Sequence, residues 1–576
     1  MHELRRLWPY FARHRRLLLG GALAIPATQA CALLGPWILK QAIERMEVGG
    51  DLHRLAGDAA LLVVASFFAG IFRYFMRRLM IGASRHIEFD IRDDLFAHLQ
   101  RLSPSFYARM RVGDLMARAT NDLNSVRNMI GPGIMYLANT LTVLPAVLVL
   151  MVILDPMLTA IAMAPMAALA FILTRFGTAV HQRSEEVQEQ YATLSAGVQE
   201  AMAGIRVIKN YVREDHQGER FQADNEEYVS RSMRLIRLSG LVGPIMTFCC
   251  GLAALAVLWL GGRNVAAGRF TLGEFVAFNG YLGMLAWPVI SLGWVINMIQ
   301  RGTASLARIG RILDEKPDIL GGGRLPATPP AIEFERVDFA YADGRRILEQ
   351  VTFNVAPGET VAIVGRTGSG KSTLVGLIPR LYDVTGGRVR VGGVDVRELE
   401  LEELRRRIGF VPQETFLFSA TMRDNIAYGI DGSDEATIEE AAEIARLLPT
   451  IREFSRGFDT VVGERGITLS GGQKQRTAIS RAIIRSPEIL ILDDALSSVD
   501  THTEEEVLKR LRGVLKSRTS LIISHRVTTV READRILVLE GGRIVEEGSH
   551  DQLIARGGRY ARMVEQQLLR EELEAS

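Results

Sequence analysis

Two short stretches of this chain carry residues that could act together on a phosphate. In "VAIVGRTGSGKST" an apolar run leads into Gly365, Arg366, Thr367, Gly368, Ser369, Gly370, Lys371, Ser372 and Thr373, with the spacing G-x-x-x-x-G-K-[ST]. Glycines at those places let backbone amides converge on phosphate oxygens. Lys371 neutralises the β- and γ-phosphates, and the Ser372 hydroxyl offers Mg²⁺ a ligand. In "ILILDDALSSVD" a second apolar run ends on two consecutive acids, Asp493 and Asp494. A carboxylate at the C-terminal edge of a parallel strand sits where nucleotides bind in such sheets, so Asp493 is expected to hold Mg²⁺ through water. Whether Asp494 can serve as a base for hydrolysis turns on its length.

The elements that must position these residues follow from patterning. A phosphate loop needs a buried strand before it and a helix after it, and "TLVGLIPRL" is helix-compatible. From about 331 short β-rich runs alternate with polar helical stretches, the pattern of an α/β domain with a parallel sheet. The Gly- and Pro-rich "DILGGGRLPATPP" just before reads as a linker. The expected division is 1–310, a linker at 311–330, and 331–576.

The first part has a different character. The chain of 576 residues is 48% apolar, and six segments, 17–43, 59–82, 131–154, 157–180, 239–262 and 271–300, are mostly longer than the ~20 residues that cross a bilayer. Five of the six carry proline (Pro26 and Pro36, Pro145, Pro165, Pro244, Pro288), which neighbouring helices tolerate in a bundle. The predicted fold class is an all-α membrane domain of six helices followed by an α/β nucleotide-binding domain. No signal peptide is evident. Arg5, Arg6, Arg13, Arg15 and Arg16 place the N-terminus in the cytoplasm, so 83–130 and 181–238 become cytoplasmic connections into which the helices continue. A net charge of +2 argues against nucleic acid as a partner, and Cys31, Cys249 and Cys250 lie in apolar stretches without metal-ligand spacing.

A third stretch identifies the family. "TLSGGQKQR", 468–476, resembles the signature of ATP-binding-cassette (ABC) proteins, and the resemblance extends over essentially the whole chain. In "VDFAY" Tyr341 matches the aromatic that stacks on adenine, and in "FVPQETFLF" Gln413 matches the glutamine that senses the γ-phosphate and metal. "VVGERG" at 461–466 matches a segment that exporters carry before the signature, "SSVD" matches the D-loop ending in Asp500, and His525 in "IISHR" matches the switch histidine. The resemblance implies ATP and Mg²⁺ as ligands, with Ser372, Gln413 and Asp493 on the metal and Asp494, His525 and Gln413 at the hydrolysis step. It also implies that Leu469, Ser470, Gly471, Gly472 and Gln473 face the nucleotide of a second cassette, so one cassette per chain calls for a partner.

Domain order looks like a half-transporter of the exporter type, which implies alternating access driven by ATP, and the basic N-terminus without a targeting presequence points to a prokaryotic plasma (inner) membrane. Residues 106–130, with Gly113, Asp114, Leu115, Arg118 and Asp122, and 204–215, with Gly204 and Arg206, resemble connections whose short helices couple to a cassette. On the sixth segment Met284, Trp287, Ser291, Trp294 and Met298 share one helical face, which is either ordinary packing or the lining of a cavity for amphiphilic cargo amid membrane lipid. Arg73 either faces such a cavity or, with Arg77 and Arg78 following, sits near the interface and snorkels, the reading favoured from sequence.

Exporters usually have Glu where this chain has Asp494. One methylene fewer draws the carboxylate back by about 1.5 Å, and a misplacement of about 1 Å can cost on the order of 10² in rate. The same replacement is similar to one subunit of heterodimeric exporters, although His525 is kept. A heterodimer is the favoured expectation and a homodimeric lipid or peptide exporter the alternative. An ATP-gated channel on the same frame is disfavoured because no extra regulatory domain appears between the linker and the C-terminus, a soluble repair or translation ATPase would have paired cassettes and no spans, and importers generally keep spans and cassette on separate chains. With no peptidase domain ahead of the first segment, leader-cleaving peptide export is not expected.

Overall fold

The computed structural model describes residues 2–575 except 50–51, 320, 324–329, 342–343, 431, 464–465 and 467–468. Positions 320 and 324–329 of the expected linker, and Glu464, Arg465 and Thr468 of the expected motifs, therefore lie outside the described residues. The chain divides into two compact units, Met1–Gln100 with Gly113–Asp314, and Arg101–Val112 with Glu315–Ser576.

Every secondary-structure element described in the first unit is a helix, and short non-helical joints such as 211–213 and 267–271 separate them. Five helical runs, Arg15–Glu47, Leu52–Arg101, Val112–Leu154, Pro156–Ala203 and Glu214–Ala266, are long and apolar enough to cross a membrane. The sixth expected segment is helical within Leu272–Leu313, but it is not among those five. Lengths of 33 to 53 residues exceed the ~20 that a bilayer needs, so the helices run on through the long connections.

Local chemistry explains the joints. At "DP" the Asp155 carboxylate accepts from Leu158 N at 2.9 Å and Pro156 takes the first helical position, so one helix stops at Leu154 and the next starts two residues later. Pro132, which lacks an N–H, sits in a π-helical turn at Met129–Gly133, where the wider turn accommodates it. The last helix begins with a capping box between Thr271 and Glu274, and Glu274 also pairs with Lys40 at 3.0 Å. Its other half is anchored by Arg308 and Ser305, whose side chains bond to Asp122 in the π-helical turn Arg118–Asp122. The bundle core gathers Val147, Met151, Leu158, Ala162, Phe278 and Tyr281, with the Tyr281 hydroxyl donating to Leu33 O at 3.1 Å.

The second unit has two sheets. Strands β1 (Ile332–Ala340), β2 (Arg346–Val355), β4 (Gly386–Val391) and β5 (Val394–Asp395) form an antiparallel layer in the order β2-β1-β4-β5. Strands β3 (Thr360–Val364), β6 (Ile408–Val411), β7 (Ile489–Asp493), β8 (Thr519–Ile523), β9 (Arg535–Glu540) and β10 (Arg543–Gly548) form the other, in the order β10-β9-β3-β8-β7-β6. All its neighbours are parallel except the β9-β10 hairpin. Every residue of β3, β7 and β8 is buried, which is why those strands read as unbroken apolar runs rather than alternating ones. Ile332, Phe334 and Phe353 of one layer and Val361, Ile491 and Leu521 of the other share a single core. Within this unit the Ser103 and Ser105 hydroxyls donate to Asp318 at 3.2 and 3.1 Å, and Arg109 pairs with Glu315 at 3.0 Å.

Candidate functional site

Strand order decides the site. In the run β3-β8-β7-β6 all strands are parallel, so the loops leaving their C-terminal ends emerge along one edge. Those loops carry the glycine-rich segment after β3, His525 after β8, Asp493 and Asp494 at the end of β7, and Gln413 after β6. Residues far apart in sequence therefore border one cavity of about 260 Å³, lined by Thr367, Gly368, Gly370, Lys371, Ser372, Thr373, Gln413, Asp493, Asp494 and His525.

Backbone approach shapes the loop. A Cβ on Gly365 would stand 2.2 Å from Leu539 O, and Gly370 has φ 102°, which only glycine adopts without strain. Lys371 is 7% exposed, and its ammonium donates to Gly365 O at 2.9 Å and Arg366 O at 3.0 Å. Burial pulls its pKa below the ordinary lysine range, against the opposing charges of Asp493 and Asp494. Burial likewise pushes Asp493 up and Asp494 adds to that, while the Ser372 hydroxyl and Lys371 pull it down.

Among the described residues two buried atoms here find no hydrogen-bond partner, Ser369 Oγ and Asp493 Oδ1. A buried carboxylate oxygen left unpaired beside a serine hydroxyl is costly unless a cation completes it. The donor set Ser372, Gln413 and Asp493, all oxygen ligands, suits Mg²⁺. The residues thus fit a metal-bound triphosphate. The Tyr341 hydroxyl lies 3.1 Å from Thr373 Oγ1, and its ring stands edge-on to Phe339 and Tyr382, 37% exposed beside the loop.

Asp494 has an unusual backbone. Its φ of 51° lies in the left-handed region, which Asp and Asn tolerate better than other side chains. The conformation is held from both sides: its N–H donates to Ile523 O at 2.9 Å, and its carbonyl accepts from Gln475 Nε2 at 3.3 Å and Ser497 Oγ at 3.0 Å. Gln475 is a residue that sequence reasoning missed. It is buried, also donates to Ser497 Oγ at 2.9 Å and accepts from Ser498 N at 2.8 Å, and so ties the signature helix to the D-loop. Its place inside "SGGQKQR" was the available signal.

The signature residues stand apart from the cavity and line none of it. Ser470 caps the helix Gly471–Ile483 through a box with Gln473, accepting from Gln473 N at 3.3 Å, with Leu469 buried just before. Cβ atoms on Gly471 and Gly472 would come within 3.0 Å of Ser498. Asp500 caps the helix Thr501–Leu515, accepting from Thr503 N at 2.9 Å. Gly113, Asp114 and Arg118 fall in the helix Val112–Ala117 and the π-helical turn after it, and Gly204 and Arg206 at the start of the short helix Ile205–Asn210. In the helical unit Arg73, Met284 and Trp287 border a second cavity, while Trp294 lies edge-on to Tyr136 and Met298 is buried beside Gly133.

Partial burial and then the Lys371 charge hold His525 below its ordinary value of 6.5, so the ring is neutral at pH 7. Its neutral form is the one favoured on folding, so its contribution to stability is lost as pH falls below 6.5. In nucleotide-free protein its NMR titration, assigned by loss of the signal in His525→Gln, should therefore be centred below pH 6.5. A bound γ-phosphate should move it upward, because an anion favours the imidazolium. A midpoint above 7 without nucleotide would contradict this.

Residues 18–289 match the family described as ABC transporter transmembrane region, and 348–497 that described as ABC transporter. The chain is 36% identical over 567 residues to the multidrug resistance-like ATP-binding protein MdlA of Escherichia coli, covering 97% of this chain and 96% of that protein. It is also 36% identical over 550 residues to an ATP-dependent lipid A-core flippase of Syntrophus aciditrophicus, covering 95% and 90%. Among solved structures it resembles a bacterial Atm1-family ABC exporter with ATP bound, with TM-score 0.80, 30% identity and coverage of 96% and 98%. With likeness over its whole length and the nucleotide cavity assembled from the expected loops, the chain belongs to the ABC transporter family.

Proposed function

We propose that this chain is one half of a dimeric exporter that moves amphiphilic or hydrophobic compounds across the bacterial inner membrane by alternating access, driven by ATP. One observation carries the dimer: the signature helix N-terminus lies outside the chain's own nucleotide cavity, so its glycines and Ser470 are left to meet a partner's ATP. In the cassette the Lys371 ammonium exchanges the Gly365 and Arg366 carbonyls for phosphate oxygens. Ser372, Gln413 and Asp493 would hold Mg²⁺, which supplies charge neutralisation at the β- and γ-phosphates. Gln413 and His525 would orient the attacking water, and Asp494 would take its proton. Exposed Val207, Tyr211 and Val212 around the helix Ile205–Asn210 suit docking of that segment on a cassette, the coupling role also proposed for Gly113, Asp114 and Arg118.

The partner is proposed to be a different half-transporter, with Glu in place of Asp494. This chain's own site would then turn over slowly, and the other site, completed by its signature, would do most of the hydrolysis. The intact phosphate loop, signature and His525 favour self-assembly as the second reading. Inverted membrane vesicles containing the chain with whatever partner co-purifies test the function. Uptake of an amphiphilic fluorescent dye should require hydrolysable ATP and proceed against its gradient. Downhill movement alone, supported equally by a non-hydrolysable analogue, would instead make it a gated channel.

A further inference from the structure

The cavity in the helical unit has a chemistry of its own. It measures about 350 Å³ and combines apolar walls, among them Met76, Met135 and Trp287, with a small polar set that includes Gln29, Asn139, Arg73 and Arg77. Gln29, 8% exposed, satisfies itself by donating to Asn139 Oδ1. The two guanidiniums do not. Among the described residues neither Arg73 nor Arg77 has a hydrogen-bond or ion-pair partner, whereas the adjacent Arg78 lies on Tyr74 and donates to its hydroxyl.

Internal neutralisation is not on offer. The apolar segments hold a single carboxylate, Glu274, and it is taken by Lys40 and by the cap at Thr271. Asp58, just before the second segment, is held by Arg45. Arg73 and Arg77 are four apart on one helix, so they present two like charges on one face, which repel. Charge inside a membrane domain is costly, and it persists where it meets water or a counter-ion in a cavity. A guanidinium pair also has the fork geometry that grips phosphate or carboxylate oxygens.

From this arrangement we infer that the cavity bordered by Arg73 and Arg77 binds amphiphiles with an anionic head, phosphate or carboxylate, whose apolar body lies against the methionines and Trp287. The inference rests on the exporter reading for its meaning as a cargo site, but not for the binding itself. The anion could belong to a membrane lipid or to a free amphiphile, and both present the same head to the arginines.

Fluorescence titration of the detergent-purified full-length protein, with its co-purifying partner and without ATP, separates these. The probes are nitrobenzoxadiazole-labelled phosphatidylglycerol, the same label on phosphatidylcholine, and labelled dodecanoate. The phosphatidylglycerol probe should bind at least tenfold tighter than phosphatidylcholine if lipid is the source, and dodecanoate should bind measurably if free amphiphiles enter. Arg73→Gln with Arg77→Gln should remove the preference and leave phosphatidylcholine affinity as it was, and Arg73→Lys with Arg77→Lys should restore most of it. Equal affinity for charged and zwitterionic probes, or a preference that survives the double glutamine variant in protein of normal thermal stability, would overturn the inference. Because no turnover is needed, absence of ATP-driven uptake would count against the exporter reading and not against this site. Pumping of cationic dyes with no anion preference would do the reverse.

Discussion

Lys371→Ala is expected to lower ATP turnover by a factor of about 10² to 10³, the usual effect of removing one preorganised charge-stabilising donor, and to weaken ATP binding at least tenfold. The reason lies in what the ammonium does before nucleotide arrives. Buried and bonded to two loop carbonyls, it offsets Asp493 and Asp494 in the same cavity, where Arg345 is the other cation among the lining residues. Without it the site facing a polyanion is net negative, and burial would push Asp493 higher still, since Lys371 is one of the two influences that hold it down. Lys371→Met keeps the stem and should behave like alanine in binding while folding more like the parent. Equilibrium ATP binding and steady-state hydrolysis on the two variants, with thermal unfolding as control, check this. Turnover within threefold of the parent would mean that the loop amides alone carry the phosphates.

Asp494→Glu is expected to raise the turnover of the chain purified by itself by about 10², the cost assigned above to a carboxylate set back by one methylene. An opposing effect comes from the backbone, because glutamate is less at ease than aspartate at a φ of 51°, and a left-handed conformation costs roughly 1 kcal/mol. Some thermal stability should therefore be lost as turnover rises. Asp494→Asn fits the conformation and should change a slow parent rate by less than tenfold. If the parent chain alone hydrolyses ATP vigorously and asparagine abolishes it, aspartate is a competent base through a shifted water, and the case for an unequal partner collapses.

Much of the nucleotide site was legible because its determinants are local. A glycine that must admit a backbone, as Gly365 does beside Leu539, leaves a mark at a fixed spacing, and so does a fully buried parallel strand such as "ILILD". Chain direction also made it legible that Asp493 stands at a strand end. The left-handed backbone of Asp494 and the role of Gln475 were not legible, since both arise from hydrogen bonds among β8, the D-loop and the signature helix. Helix count shows the same limit: apolar length marks six segments, while five helical runs among the described residues meet the requirement.

What the residue order determined by itself is the set of chemical groups and the elements that carry them: a phosphate loop, two acids at a strand end, a histidine just after another strand, and long apolar helices joined by capped turns. Periodicity and spacing act over a few residues, so they survive in one dimension. Tertiary structure decided which of these groups share space. It set His525, Gln413 and Asp494 around one cavity by ordering β3, β8, β7 and β6 side by side, and kept the signature outside it. It also turned Arg73 and Arg77 toward Gln29 and Trp287. Such juxtapositions depend on packing between segments tens to more than two hundred residues apart, as Asp494 is from His525 and Arg73 from Trp287, and no local pattern encodes the partner across that gap.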